Sequence, residues 1–144
     1  MGRTNAMPPP PYRLLRLGPG ADLREALARE ARRPGQPPLA VAMGMGSLRG
    51  ARLRPAAEDA PLVLEGPLEL LTLSGTLTRD GVHLHASVAD DAGRVRGGHL
   101  LAGAPVRTTA ELVLLPLEGW RAGRRTDPRT GYRELHVRRA FARR

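Results

Sequence analysis

Cysteine is absent from the 144 residues. The chain therefore has no disulfide framework, no thiolate nucleophile and no cysteine-based zinc site, so any metal must sit on histidine and carboxylate side chains. Lysine and isoleucine are missing as well, and all 23 basic residues are Arg. With its abundant Ala, Gly, Pro and Leu, this is how a high-GC genome writes a protein. Aromatic residues are scarce at 3%, which leaves Leu, Val and Ala to pack the core and few rings to stack on bases. No apolar run approaches the roughly 18 residues of a membrane span, and the first 20 residues lack the apolar core of a signal peptide. The expectation is a cytoplasmic protein with no membrane partner. The balance that remains, 41% apolar against 26% charged, is that of a globular chain. At this length a single domain buries roughly 68–70% of its unfolded surface.

The net charge of +9 invites a nucleic-acid reading, but its distribution is uneven. Residues 1–20 carry +3, residues 21–120 carry −1 and residues 121–144 carry +7. The excess belongs to the ends, where Arg138, Arg139, Arg143 and Arg144 are the candidates for phosphate contacts.

Along the chain, residues 1–11 end in Pro8 to Pro11 and read as a flexible, proline-rich N-terminus. Tyr12 to Leu17 reads as a strand. Asp22, followed three residues later by Glu25, forms a capping box that opens a helix with Leu23, Ala26, Leu27 and Ala31 on one face. Pro34 and Gly35 end it. Strands follow: Leu39 to Met43, broken by Gly44, Gly46 and Gly50 before Ala51 to Arg54; Glu69 to Ser74; Val82 to Ala89 after an Asp80-Gly81 turn; Val95 to Leu101; Val106 to Leu117; and Arg133 to Val137. One helix among about seven strands predicts an α+β fold, antiparallel, with the helix on a sheet face. The domain spans 12–137, and 138–144 forms an Arg-rich tail.

Three of the four histidines, His83, His85 and His99, fall within 17 residues. His83 and His85 are two apart in a strand, so their side chains leave the same face with about 7 Å between Cα atoms. If Asp90 to Arg94 is a five-residue loop, position 85 faces 99; a three-residue loop sets 83 against 99, and a four-residue loop turns His99 to the wrong face. Gly97 and Gly98 allow a bulge or a close backbone approach there. Three neutral imidazoles with an open fourth position suit zinc or another late divalent metal, as in catalytic sites. Glu69 is the candidate acid or base, with Glu111 as another strand carboxylate. Arg96 and Arg107 are the candidate anion clamps. Gly44-Met45-Gly46-Ser47 lacks the Gly-Lys-Ser/Thr ending of a phosphate loop and reads as a structural turn.

Taken in order, Arg16-Leu17-Gly18-Pro19-Gly20-Ala21-Asp22-Leu23, Gly44-Met45-Gly46-Ser47-Leu48, Glu69-Leu70-Leu71-Thr72-Leu73-Ser74-Gly75, Gly81-Val82-His83-Leu84-His85 and Gly93-Arg94-Val95-Arg96-Gly97-Gly98-His99-Leu100 resemble the plant and prokaryote conserved domain, also called domain of unknown function 296. The resemblance runs from about Tyr12 to Val137. It implies a stand-alone bacterial member that assembles as a homotrimer, with the family's three-His set matching His83, His85 and His99. Plant members carry AT-hooks ahead of this domain, and bacterial members are often named as DNA-binding proteins. This chain has no Arg-Gly-Arg-Pro hook. Two functions follow as expectations: a DNA-binding or regulatory trimer with a three-His metal site, its DNA contact weak and salt-dependent, or a metal-dependent enzyme acting on a small anionic metabolite.

Overall fold

The computed structural model describes residues 11–140. Most of the proline-rich N-terminus, and Arg143 and Arg144 of the expected tail, lie outside the described residues. The element order is β1 (Arg13–Leu17), α1 (Leu23–Ala31), β2 (Leu39–Arg54), β3 (Leu62–Thr78), β4 (Gly81–Ala89), β5 (Val95–Leu100), β6 (Val106–Pro116), β7 (Trp120–Thr126) and β8 (Arg133–Arg139). Six strands form an antiparallel sheet in the order β1-β6-β2-β3-β4-β5, and β5 also pairs with β2. The β2-β3-β4-β5 part is thus closed on itself. The second sheet is the β7–β8 hairpin. No helix among the described residues is long and apolar enough to cross a membrane.

The helix begins where the capping box places it. The Asp22 side chain accepts from the Glu25 backbone N at 3.0 Å, and its other oxygen accepts from the backbone N of Gly103 and Ala104 at 2.7 and 2.9 Å. One carboxylate therefore caps α1 and ties it to the start of β6. Leu23, Ala26, Leu27 and Ala31 are all buried, and α1 packs against β3 and β4. Inward-facing strand residues complete the core: Leu48 and Leu53 on β2, Leu70, Leu73 and Leu77 on β3, Leu84 and Val88 on β4, and Leu112 and Leu114 on β6. Each fully buried Leu is worth about 1.5–3 kcal/mol of transfer free energy.

Two expectations change. The glycines at 44, 46 and 50 do not break β2, because β3 and β6 supply ladders on its two sides and absorb the irregularity as register shifts near Val41, Gly46 and Leu48. Gly46 belongs to the strand for a steric reason. A Cβ there would stand 2.3 Å from the Thr109 carbonyl oxygen and 2.6 Å from the Ala110 Cα, so only glycine lets β6 come this close. The chain also has eight strands among the described residues: β7 had no alternating apolar pattern to announce it. Its partner β8 runs past Val137 through Arg138 and Arg139, so these two belong to a paired strand instead of a tail. Arg139 lies opposite Trp120, and its guanidinium sits 5.8 Å from the ring centroid.

Candidate metal centre

His83 and His85 occupy odd positions of β4, whose even positions Val82, Leu84 and Ala86 are buried. Period-2 alternation therefore turns both imidazoles outward. The turn to β5 is closed by one residue. Asp90 accepts from the backbone N of Ala92 and Arg94 at 3.0 and 2.9 Å and from the Arg94 Nε at 2.8 Å. These bonds, the Arg94 backbone first, hold the Asp90 carboxyl below the usual carboxylate range. Asp90 to Arg94 is thus the five-residue loop, Ala89 faces Val95, and His85 faces His99.

The two glycines before His99 serve a close approach, with an unbroken β4–β5 register. A Cβ on Gly98 would lie 2.7 Å from the Arg54 carbonyl oxygen, so glycine permits β5 to pair with the end of β2, where Arg54 faces His99. Arg54, His99, His85 and Ser74 form one row across four strands.

One ring nitrogen from each of the three histidines falls within 4.8 Å of the other two. The His83 and His85 Nε2 atoms are 3.1 Å apart, close to the roughly 3.3 Å edge of a tetrahedron with metal–nitrogen bonds of 2.0–2.1 Å. Burial, then the charges of His83, Arg54, Arg24 and His85, pushes the His99 pKa down to about 4. Burial also lowers that of His83, aided by Arg124 and His85 and opposed by Glu134. At neutral pH both rings offer a free lone pair, the form a metal requires. The donor set thus fits a late divalent ion.

The other candidate residues are dispersed. Glu69 lies on β3 opposite Ala89, four positions along β4 from His85, and Glu111 lies on β6 opposite Met45 and Arg16. Arg96 faces Val88, in phase with the inward positions of β4, and its Nη1 donates to its neighbour's carbonyl. Arg107 is exposed on β6. His136 lies on β8 beside Arg125, 3.2 Å from its Nη1. None of these lines the cleft of about 400 Å³ that opens beside His83 and His99. That cleft is lined instead by Arg24 of α1, Arg54 of β2, Arg124 of β7 and Arg133 of β8, with Tyr132, Asp80 and Glu134. Sequence reading missed all four arginines. Their spacing carries no signal, because four separate elements bring them together.

Comparison with known proteins gives the same fold. The family described as the Plants and Prokaryotes Conserved (PCC) domain matches residues 12–118. A curated relative, Bifunctional protein GlmU of Synechococcus sp. (strain JA-3-3Ab), is 47% identical over 141 residues, covering 94% of this chain and 22% of the relative. The chain therefore spans about a fifth of the length of the curated relatives it matches. A hypothetical protein of Salmonella enterica superposes with a TM-score of 0.85 at 35% identity, over 90% of this chain and 94% of that one. The metal-containing protein AF0104 of Archaeoglobus fulgidus gives a TM-score of 0.75 at 29% identity, over 87% of this chain and 92% of that one.

Proposed function

This chain belongs to the Plants and Prokaryotes Conserved domain family, and on that premise we propose that it is a metal-dependent module acting on a small anionic metabolite. His83, His85 and His99 would hold one divalent ion, zinc by its donor set, beside the cleft that His83 and His99 line. The observation that carries this reading is the convergence of three ring nitrogens within 4.8 Å, and the metal-containing relative from Archaeoglobus fulgidus supports it. When bound, the ion supplies Lewis-acid polarisation of an oxygen on the bound anion. The protein's own part is to hold the imidazoles neutral and fixed by the β4–β5 register. Glu134, which lines the cleft and acts electrostatically on His83, takes the acid–base role expected of Glu69. Protein purified without a histidine tag should carry about one zinc per chain. His85→Ala should lower zinc affinity by about 100-fold or more with an unchanged circular dichroism spectrum, while His136→Ala should retain the metal. Stoichiometric zinc in both His85→Ala and His99→Ala would refute the site.

A second reading, DNA binding, draws on one observation: the β7–β8 ribbon displays Arg121, Arg125, Arg138 and Arg139 along an ordered, exposed hairpin. Such a ribbon would contact phosphates weakly, with steep salt dependence and little sequence preference. Self-association as a homotrimer draws on the outward sheet face, where Leu14, Met43, Met45, Leu71 and Leu115 are exposed. Light scattering at three times the 15.5 kDa chain mass is the expected result for the trimer, and the single-chain mass would refute it.

A further inference from the structure

The arginines of the cleft are short of partners. The four ion pairs among the described residues are Arg13–Glu30, Arg33–Glu30, Arg94–Asp90 and Arg129–Asp127, and none involves Arg24, Arg54, Arg124 or Arg133. Neither of the two carboxylates lining the cleft forms an ion pair with them among the described residues, although Glu134 acts on the Arg124 charge from a distance. Asp80 accepts from the Arg124 backbone N at 3.1 Å, and Glu134 accepts from the Thr130 hydroxyl at 3.0 Å. Four guanidiniums against two carboxylates leave the lining at +2 before any metal is counted. Gathering like charges in a concave site costs free energy unless an anion joins them.

Three of the four are also held in place. The Arg24 Nη1 donates to the Val82 carbonyl at 3.0 Å, the Arg124 Nη2 to the Thr76 hydroxyl at 2.6 Å, and the Arg133 Nη2 to the Arg124 carbonyl at 3.2 Å. Each bond uses one of a guanidinium's five donors, so the forks are oriented and most donors stay free. Arg54 makes no side-chain hydrogen bond among the described residues and lies in the His99 row. The cleft, at about 400 Å³, is within the usual range for small-molecule sites and has room for more than a bare ion.

We propose that this cleft is an oxyanion site, where Arg24, Arg54, Arg124 and Arg133 clamp the dianionic group of a small organic phosphate or dicarboxylate with one oxygen facing the three imidazoles. Only the position of that last oxygen rests on the metal reading; the clamp itself stands on the arginines. Two of the four come from the hairpin, beyond the residues matched by the family, so the hairpin sets which anion is accepted.

Calorimetric titration of the metal-free protein with phenyl phosphate and with malonate at low salt tests the clamp separately from the metal. At least one probe should bind saturably, and the tighter one identifies the oxyanion. Arg54→Gln should weaken it about fivefold or more, and Arg54→Gln with Arg133→Gln about tenfold or more, with zinc binding retained. Arg121→Gln with Arg125→Gln removes the same charge from the hairpin outside the cleft and should change affinity less than twofold. Should the double replacement loosen the hairpin, Arg54→Gln alone decides, since it removes no hydrogen bond among the described residues. Saturation by neither probe, or equal losses from the two double variants, overturns the clamp whatever the metal result.

Discussion

The sheet body and the β7–β8 hairpin are both antiparallel, yet different forces hold them. In the body, every inward position of β4 from Val82 to Val88 is buried, and the leucines of β2, β3 and β6 close over them. In the hairpin, no residue of β7 or β8 is buried, and Leu135 and Val137 stay 42% and 51% exposed. The hairpin docks through polar contacts, Arg124 to Thr76 and Asp80 to the Arg124 backbone, and its Trp120, Ala122, Leu135 and Val137 share an open apolar cleft with Leu39, Leu77 and Leu117. Gly123 is part of this arrangement, because a Cβ there would sit 2.3 Å from the Asp80 Oδ2. The lesson is a division of labour: the body fixes the histidines by burial, and the hairpin brings arginines to them while remaining the easier part to open.

The largest test of that difference is a matched pair of truncations. Leu112→Ala, at a 1% exposed site in β6, should cost about 2–5 kcal/mol in denaturant unfolding. Leu135→Ala on the hairpin should cost less than about 1 kcal/mol. Equal losses would mean that hairpin and body unfold as one unit.

Next in size is the docking itself. Asp80→Ala removes the acceptor for the Arg124 backbone, an interaction of about 1–2 kcal/mol. Hydrogen exchange in residues 120–139 should accelerate about tenfold while β2, β4 and β6 keep their protection. Faster exchange in the body would show that the hairpin supports the sheet.

The last test concerns pH. In the folded, metal-free chain the His99 pKa is about 4 and that of His83 is also lowered, against 6.5 when unfolded. As pH falls from 6.5 toward 4, the unfolded chain takes up protons that these rings refuse. The contribution of these two rings to stability therefore declines over that window. His99→Gln should flatten the slope in thermal unfolding, and an unchanged slope would place the acid sensitivity elsewhere.

Local chemistry made much of this legible. Asp22 and Glu25 mark the start of α1, and the apolar spacing marks its buried face. Alternation from Val82 to Ala89 gives β4 and sets His83 and His85 on one side. Where local pattern was silent or misleading, a partner strand decided. β2 runs through its glycines because β3 and β6 flank it, and β7, with Arg121, Arg124 and Arg125 in seven residues, is a strand only because β8 pairs with it.

The sequence by itself determined that two imidazoles share a face, because a strand's period of two leaves no choice, and that His99 joins them only if the loop is odd. It left that loop length open. The Asp90 hydrogen bonds, which are local but not visible as a periodicity, fix five residues; tertiary structure brought Arg54 against His99 through the space at Gly98 and gathered Arg24, Arg124 and Arg133 at one cleft. Local periodicity governs neighbours a few residues apart. The meeting of α1, β2, β7 and β8 depends on how whole elements pack, and no spacing along the chain records it.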